Sequence, residues 1–563
     1  PDGFFGYICP HKFFEADYGV GIRKLLAEGK HVRSIVSFGH QLVFSQASTY
    51  TCLLFLNKRA IEQSTVLKVD DLDGWKSGEQ AQQGGFAASH FTDVAWNFAL
   101  GAGAPVLEKL SKIPVKLADV TDRIFQGIKT SADDIYIVEE LERQPTKVRI
   151  LSPETQKEFW LEPDLLHSLV KGGDSSRYSL DQTPRRILFP YKPNKEGNME
   201  LISAAKLEQQ FPLTWNYLVA NKPRLESREE GKMKTDGWYG YVYPKALDVI
   251  GLPKIFIPDL SQGAAYSLDE TGEKFFTGGV AGGYGILVKP DFSRALILGL
   301  LNSRLLEWFV QQTSTPMRGG WFSFESRFIR HLPIKLAESK NKHEAKLEKE
   351  IVERVEKIQA AHKQRVQLPE ILRKKIHHSQ RTPSNLAHYL QKDFASAVKP
   401  KILIDDVQRA GFIHALHLES ENNQLTFTAT VADKLSDAPR SLPVLRLTFE
   451  DESLRQFIYA SWRQFLNDNS RKKKWTTGKK PEQIYALIVN TLEPLVYFSS
   501  SAGDNLRTIR DLIRAVADEA GNSDLAAIES EIEKLDGEID ERVYELYGIT
   551  EEERKIVEDA AKK

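Results

Sequence analysis

Val36-Ser37-Phe38-Gly39-His40-Gln41-Leu42-Val43-Phe44-Ser45-Gln46-Ala47-Ser48-Thr49-Tyr50-Thr51-Cys52-Leu53-Leu54-Phe55-Leu56 is the stretch that decides the fold. It reads as a buried strand, a short polar turn carrying one aromatic, and a second buried strand. Cys52 to Leu56 is apolar at consecutive positions, as in a strand covered on both faces. Upstream, Gly6-Tyr7-Ile8-Cys9-Pro10-His11-Lys12-Phe13-Phe14 supplies another strand. Tyr18-Gly19 and a helical Ile22-Arg23-Lys24-Leu25-Leu26 follow. β-rich and helical signals therefore alternate over residues 1–115, the pattern of an α/β domain.

Beyond residue 116 the character changes. Short β-like runs recur between turns: Asp134 to Val138, Arg186 to Phe189, Lys254 to Ile257 and Tyr284 to Val288. Asp269-Glu270-Thr271-Gly272 between Ala265–Leu268 and Lys274–Phe276 is a hairpin signal. Leucines from Leu296 to Leu306 predict one long helix over 292–312. Residues 341–400 form a connector in which Leu347, Ile351, Val355 and Ile358 make an apolar stripe, expected to pack on its own chain. Residues 401–525 read as an α+β module. There Asn422-Asn423 turns one strand into the next, Val444 to Phe449 adds a third, and a helix carries Leu454, Phe457, Ile458, Trp462 and Phe465. Residues 526–563 are helical, with Thr550 and Glu553 as a capping box.

Composition admits this reading. At 563 residues the chain has room for three or four domains. Lys+Arg of 76 against Asp+Glu of 77 leaves a formal charge of -1, so affinity for nucleic acid must come from local basic patches. Cys9 and Cys52 lie in apolar runs and are expected to be buried thiols in a reducing compartment. No apolar run reaches the ~18–20 residues of a membrane span, and no secretory pattern opens the chain. A cytoplasmic location is expected. No Cys/His cluster has metal-ligand spacing, and His377-His378 stands as a surface-like pair.

The stretch around Phe44, with Gly6 to Phe14 before it, resembles the rear half of the catalytic domain in adenine-specific (N6) DNA methyltransferases. The kind concerned is the TaqI-like, type IIG restriction-modification family. Residues 116–340 resemble the target-recognition domain that follows there. The matching pieces are Ile124-Phe125-Gln126-Gly127-Ile128-Lys129-Thr130, Phe189-Pro190-Tyr191, Asn221-Lys222-Pro223-Arg224-Leu225-Glu226-Ser227-Arg228 with Trp238-Tyr239, and Arg318-Gly319-Gly320-Trp321-Phe322 before His331-Leu332-Pro333-Ile334. The tail from Val543 to Thr550 is similar to the end of such polypeptides, where packing is its expected job.

The resemblance implies a partial Rossmann-like methyltransferase sheet, an α+β recognition domain, a helical connector, and a C-terminal α+β and helical extension. It implies S-adenosylmethionine as methyl donor, double-stranded DNA as partner, and an adenine swung out of the duplex. Phe44 stands where the family places an aromatic that stacks on that adenine; Ser48 and Thr49 shape the same turn. The family's Gly-rich cofactor turn and its Asp/Asn-Pro-Pro-aromatic acceptor motif do not occur in this chain. Catalytic residues and most of the cofactor site are expected upstream of Pro1, or on a separate catalytic chain. Gly101-Ala102-Gly103-Ala104-Pro105 lacks the third glycine and the following ribose-binding acid, and reads as a helix start. In fused relatives of that family the nuclease lies upstream of such a segment, and no nuclease motif stands out in this chain.

Candidate DNA contacts follow from side-chain chemistry. Gln126, Lys129 and Thr130 flank a glycine at a strand end, where backbone can approach a phosphate or base edge. Arg224 and Arg228 belong to a basic cluster that suits either phosphate contact or a solvated helix. Gly282 and Gly283 suit a loop pressed on DNA or a plain turn. Arg318 offers a bidentate donor and Trp321 a stacking surface. Lys472, Lys473 and Lys474, with Arg471 and Trp475, form a phosphate-binding patch or an exposed charged loop. Two other readings remain open at this point: a non-catalytic DNA-binding specificity subunit serving a separate catalytic chain, and a fragment of an RNA methyltransferase.

Overall fold

The computed structural model describes residues 3–39, 41–44, 49–69, 71–94, 96, 98, 100–317, 319–379, 381–391, 394–404, 412–434, 437–471 and 484–560. The chain is a mixed α/β protein with several sheets. It divides into two compact units, residues 1–356 with 538–563, and residues 357–537. The boundaries fall inside the helices Lys342–His377 and Leu525–Leu546. They do not coincide with the five segments read from the sequence.

The first unit opens with a five-stranded sheet: β1 (Phe4–Pro10), β2 (Val32–Ser37), β3 (Thr51–Asn57), β4 (Gln63–Lys68) and β5 (Gln82–Ala87), in the order β1-β3-β2-β4-β5. β3 runs antiparallel between β1 and β2, while β2 and β4 are parallel. A helix, Val20–Glu28, links β1 to β2. Val32, Ile35, Cys52, Leu54 and Val66 fill one core with Phe13, Phe14 and Trp96. β1 lies at the end of the sheet. Its Phe4, Phe5, Tyr7 and Ile8 are exposed, as are Ile22 and Leu25 of the helix.

Residues 121–288 build two further sheets. One has six strands, with Leu166–Val170, Arg185–Leu188, Ile137–Arg143, Val148–Ser152 and Lys157–Leu161 in succession beside Lys274–Phe276. The other has four: Ser267–Asp269, Lys254–Pro258, Gly283–Val288 and Thr121–Gln126. Three expectations change here. Ser267–Asp269 and Lys274–Phe276 are not a hairpin, because they join different sheets. Asp269 causes the divergence: its carboxylate accepts from Gly272 N at 3.0 Å, Lys274 N at 2.9 Å and the buried Lys254 Nζ at 2.7 Å. The residues from Asp133 to Tyr136 form a helical turn, and the strand begins only at Ile137. The long helix is two helices, Arg294–Asn302 and Arg304–Thr313, broken at Ser303. Ser303 has extended backbone, and its hydroxyl accepts from Leu306 N at 3.3 Å as the cap of the second helix.

The apolar stripe of Lys342–His377 is buried, and Gly299 leaves just enough room for Ile351 and Val355 to approach. The C-terminal tail packs on the same unit. Tyr547 Oη donates to Pro333 O at 2.8 Å, and Lys109 Nζ meets Glu553 at 2.7 Å. The Thr550–Glu553 capping box forms as read.

The second unit carries a four-stranded antiparallel sheet, Val398–Ile402, Arg440–Phe449, Gln424–Ala432 and Phe412–Glu421. Asn422 turns the hairpin with a φ of 53°. The helix Glu452–Arg471 packs Leu454, Phe457, Ile458 and Trp462 into the core of this unit.

Candidate nucleic-acid interface

The strand Thr121–Gln126 runs into the loop that the sequence singles out. Gly127 is required there, since a Cβ would stand 2.5 Å from Phe276 O. Ile128 is buried, and its N–H donates to that same carbonyl at 3.0 Å. Lys129 turns outward and pairs through its backbone with Tyr243, which is also exposed. The next residue points the other way. Thr130 is fully buried; its Oγ1 accepts from Ala132 N at 3.0 Å and donates to Asp133 Oδ1 at 2.5 Å, fixing the helical turn that follows.

Lys129, Ser131, Asp133, Asp134, Arg224 and Tyr243 line a cleft of about 520 Å³. Arg224 Nη2 lies 3.4 Å from Asp134 Oδ2, an exposed pair that places the guanidinium at the rim. A hydrogen bond shared with Asp134 pushes the Glu154 carboxyl above its usual range. Two cations, a phenol and two carboxylates can grip a phosphate and accept from a base amine. Tyr243, Asp133 and Asp134 were not candidates from sequence. Asp134 stands within a stretch, Asp134-Ile135-Tyr136, that also resembles the recognition domain, but only folding brings residues 133–134 and 243 to one mouth.

Four other candidates have internal roles. Arg228 is 3% exposed. Its Nε donates to Leu225 O, its Nη1 to Thr130 O, and its Nη2 to Trp238 O and Gly240 O, at 2.6–2.9 Å. It ties the loop to the segment behind it and has no face for DNA. Thr130 is buried at the back of the cleft, its hydroxyl engaged by Ala132 N and Asp133. Gly282 and Gly283 are buried, and a Cβ on them would come 1.7 Å from Thr277 O and 2.2 Å from Ile257 O. Close packing of their own chain explains both glycines. Gln126 is half-buried at the strand end, with its side chain near Gly278. Trp321 is exposed on the hairpin Pro316–Met317 to Trp321–Ser323, next to Gly319 and Gly320 with φ of 79° and 75°. Arg318, Lys472, Lys473 and Lys474 lie outside the described residues.

The second element of the site is the connection from β2 to β3. Phe38 and Val43 pack with Val36, Val69 and Leu72. Gln41 clamps the loop, donating to Val69 O at 2.6 Å and accepting from Leu72 N at 2.6 Å. With its neighbours anchored, Phe44 is left outside, 48% exposed. An exposed aromatic ring beside anchored neighbours offers a stacking surface. Ser48 lies outside the described residues; Thr49 is exposed.

No protein-family model matches the chain. Its sequence is 28% identical over 350 residues to the type II restriction enzyme and methyltransferase RM.Eco57I of Escherichia coli, covering 59% of this chain and 34% of that protein. It is 22% identical over 348 residues to the type II methyltransferase M.PaeR7I of Pseudomonas aeruginosa, covering 59% and 55%. Its homologues are type II restriction-modification methyltransferases. The chain spans between a third and three fifths of the length of these curated relatives. Among solved structures, the type IIL restriction-modification enzyme MmeI in complex with DNA aligns with 64% of this chain and 42% of its own, at 12% identity and a TM-score of 0.40. The type IIG restriction endonuclease BpuSI aligns with 63% and 42%, at 14% identity and a TM-score of 0.27.

A methyl donor needs a cradle, and the Gly101–Gly103 turn does not offer one. The Gly101–Gly103 turn leads into the helix Ala104–Ser111, and a Cβ on Gly103 would sit 2.9 Å from the Trp308 ring. That turn is filled by its own protein. Within the first unit, Thr315 Oγ1 donates to Glu15 Oε2 at 2.9 Å. Burial pushes the Glu15 carboxyl above its usual range, against the pull of Thr315 and Arg327. Burial and the nearby Glu325 raise Asp259 as well. Among the described residues, no group of three His, Cys, Asp or Glu side chains can hold a metal ion, and no helix is long and apolar enough to cross a membrane.

Proposed function

We propose that this chain supplies DNA recognition and one wall of the base pocket to an adenine-N6 DNA methyltransferase of a restriction-modification system. The observation that carries the reading is the pairing of an outward Phe44 ring with a separate cleft bearing Lys129, Arg224 and Tyr243 in one compact unit. The cleft holds the duplex by phosphate and base-edge contacts, and Phe44 stacks on the extruded adenine. Stacking of this kind contributes roughly 1–3 kcal/mol.

S-adenosylmethionine is held elsewhere in this reading. The exposed apolar residues of β1 and of the helix Val20–Glu28 support a docking place for the cofactor-binding part, because an uncovered apolar edge strand invites a further strand. The chain alone is therefore expected to transfer no labelled methyl group to duplex DNA. A non-catalytic specificity subunit would use the same edge to hold a separate catalytic chain.

Selection from a pool of random duplexes tests the reading. The chain is expected to enrich one short sequence and to release it poorly to structured RNA. Equal retention of all sequences, or preference for the RNA, contradicts it.

A further inference from the structure

Cys9 and Cys52 are the two cysteines among 563 residues, and β1 and β3 place them directly opposite each other. Their sulfurs are 3.7 Å apart. Opposed residues of antiparallel strands have Cα atoms about 4.5–5.5 Å apart, inside the roughly 4.4–6.8 Å that a disulfide spans. A bond of about 2.05 Å would need side-chain rotation and little movement of the strands.

The pair is asymmetric. Cys52 is buried, while Cys9 is half-buried on the strand at the end of the sheet. A hydrogen bond from the Cys52 thiol pulls the Cys9 thiol below its usual range; the same bond, with burial, pushes Cys52 far up. Cys9, half-buried on the end strand, is the thiol within reach of an incoming disulfide. Cys52 also pairs with Ser37 on its other side. The loop that carries Phe44 leaves the sheet after Ser37 and returns at Thr51, so the two sulfurs sit at its foot.

We propose that Cys9 and Cys52 form a thiol-disulfide site whose substrate is a low-molecular-weight disulfide of the glutathione type. The Cys9 thiolate attacks one sulfur of that disulfide, breaking its S–S bond and releasing one thiolate, which takes up a proton. The resulting mixed disulfide on Cys9 is then attacked by Cys52 as it gives up its proton. The Cys9–Cys52 bond forms and the second small thiol leaves. Two protein thiols are oxidised and one small disulfide is reduced to two thiols. The product staples β1 to β3 beneath the Phe44 loop. The site stands whether or not Phe44 stacks on a base.

The test uses the whole chain, incubated folded with oxidised glutathione, then denatured with an alkylating agent and weighed intact. Free thiols are expected to fall from two to none, with loss of two hydrogen atoms, no retained glutathione, and full recovery on reduction. Cys52→Ser is expected to keep glutathione on Cys9, and Cys9→Ser to leave Cys52 unmodified. Two alkylated thiols after exposure, or a lasting glutathione adduct on the unmutated chain with Cys52 still free, overturns the proposal. The reading on the unmutated chain decides even where a variant folds poorly.

Discussion

The loop at 126–134 and the loop around Phe44 are built from opposite principles. In the first, cationic and polar side chains crowd together, and burial sorts them: Lys129 and Arg224 open on the cleft, whereas Thr130 and Arg228 hold the backbone. In the second, apolar side chains crowd together, and anchoring of Phe38, Gln41 and Val43 leaves one ring outside. Residue type nominates a contact in both places. Where the hydrogen bonds and apolar contacts of the neighbours go decides which nominee is free to meet a ligand.

The contrast breaks most visibly at Arg228. Replacement by Met leaves four buried carbonyls without their charged donor. A loss of about 3–4 kcal/mol in denaturant unfolding is expected. A variant of unchanged stability with weakened DNA binding would return Arg228 to the interface. If Phe44 stacks on the extruded base as proposed, Phe44→Ala should lower methyl transfer by an active assembly containing this chain by about tenfold to a hundredfold, the equivalent of one lost stack, with Phe44→Trp largely active. Thermal stability should hardly move, because the ring covers no core.

Thr130→Val removes the hydroxyl that accepts from Ala132 N and donates to Asp133, and should cost about 1 kcal/mol of stability, with the salt dependence of DNA binding unchanged. The smallest effect is expected at Glu15. Its folded carboxyl titrates above the unfolded one, so its stabilising contribution is complete in acid and is lost as pH rises through the folded value. Glu15→Gln should match the parent at acid pH and exceed it in stability at neutral pH. Melting curves at the two pH values check the sign.

Local chemistry made part of this legible. The strands flanking Phe44, the Asn422 hairpin and the Thr550–Glu553 box each depend on residues a few positions apart. The break at Ser303 was hidden because the leucine periodicity runs through it, and a serine inside such a pattern is compatible with a continuous helix. The apparent hairpin at Asp269 failed for a tertiary reason, since Lys254 and the strand Leu166–Val170 draw its two arms into different sheets. Arg224 and Arg228 are equivalent in sequence, and only the carbonyls of Thr130, Trp238 and Gly240 tell them apart. Tyr243 gave no signal, because its role depends on pairing with Lys129.

The salt dependence of duplex binding tests the central claim most directly. Each phosphate contact contributes a slope of about 0.9 in log affinity against log salt. The Lys129→Ala, Arg224→Ala double variant is expected to lower that slope by roughly 1–2 and to weaken binding at low salt, with its melting temperature preserved. An unchanged slope and affinity in a folded double variant would mean that the cleft is not where the duplex is held.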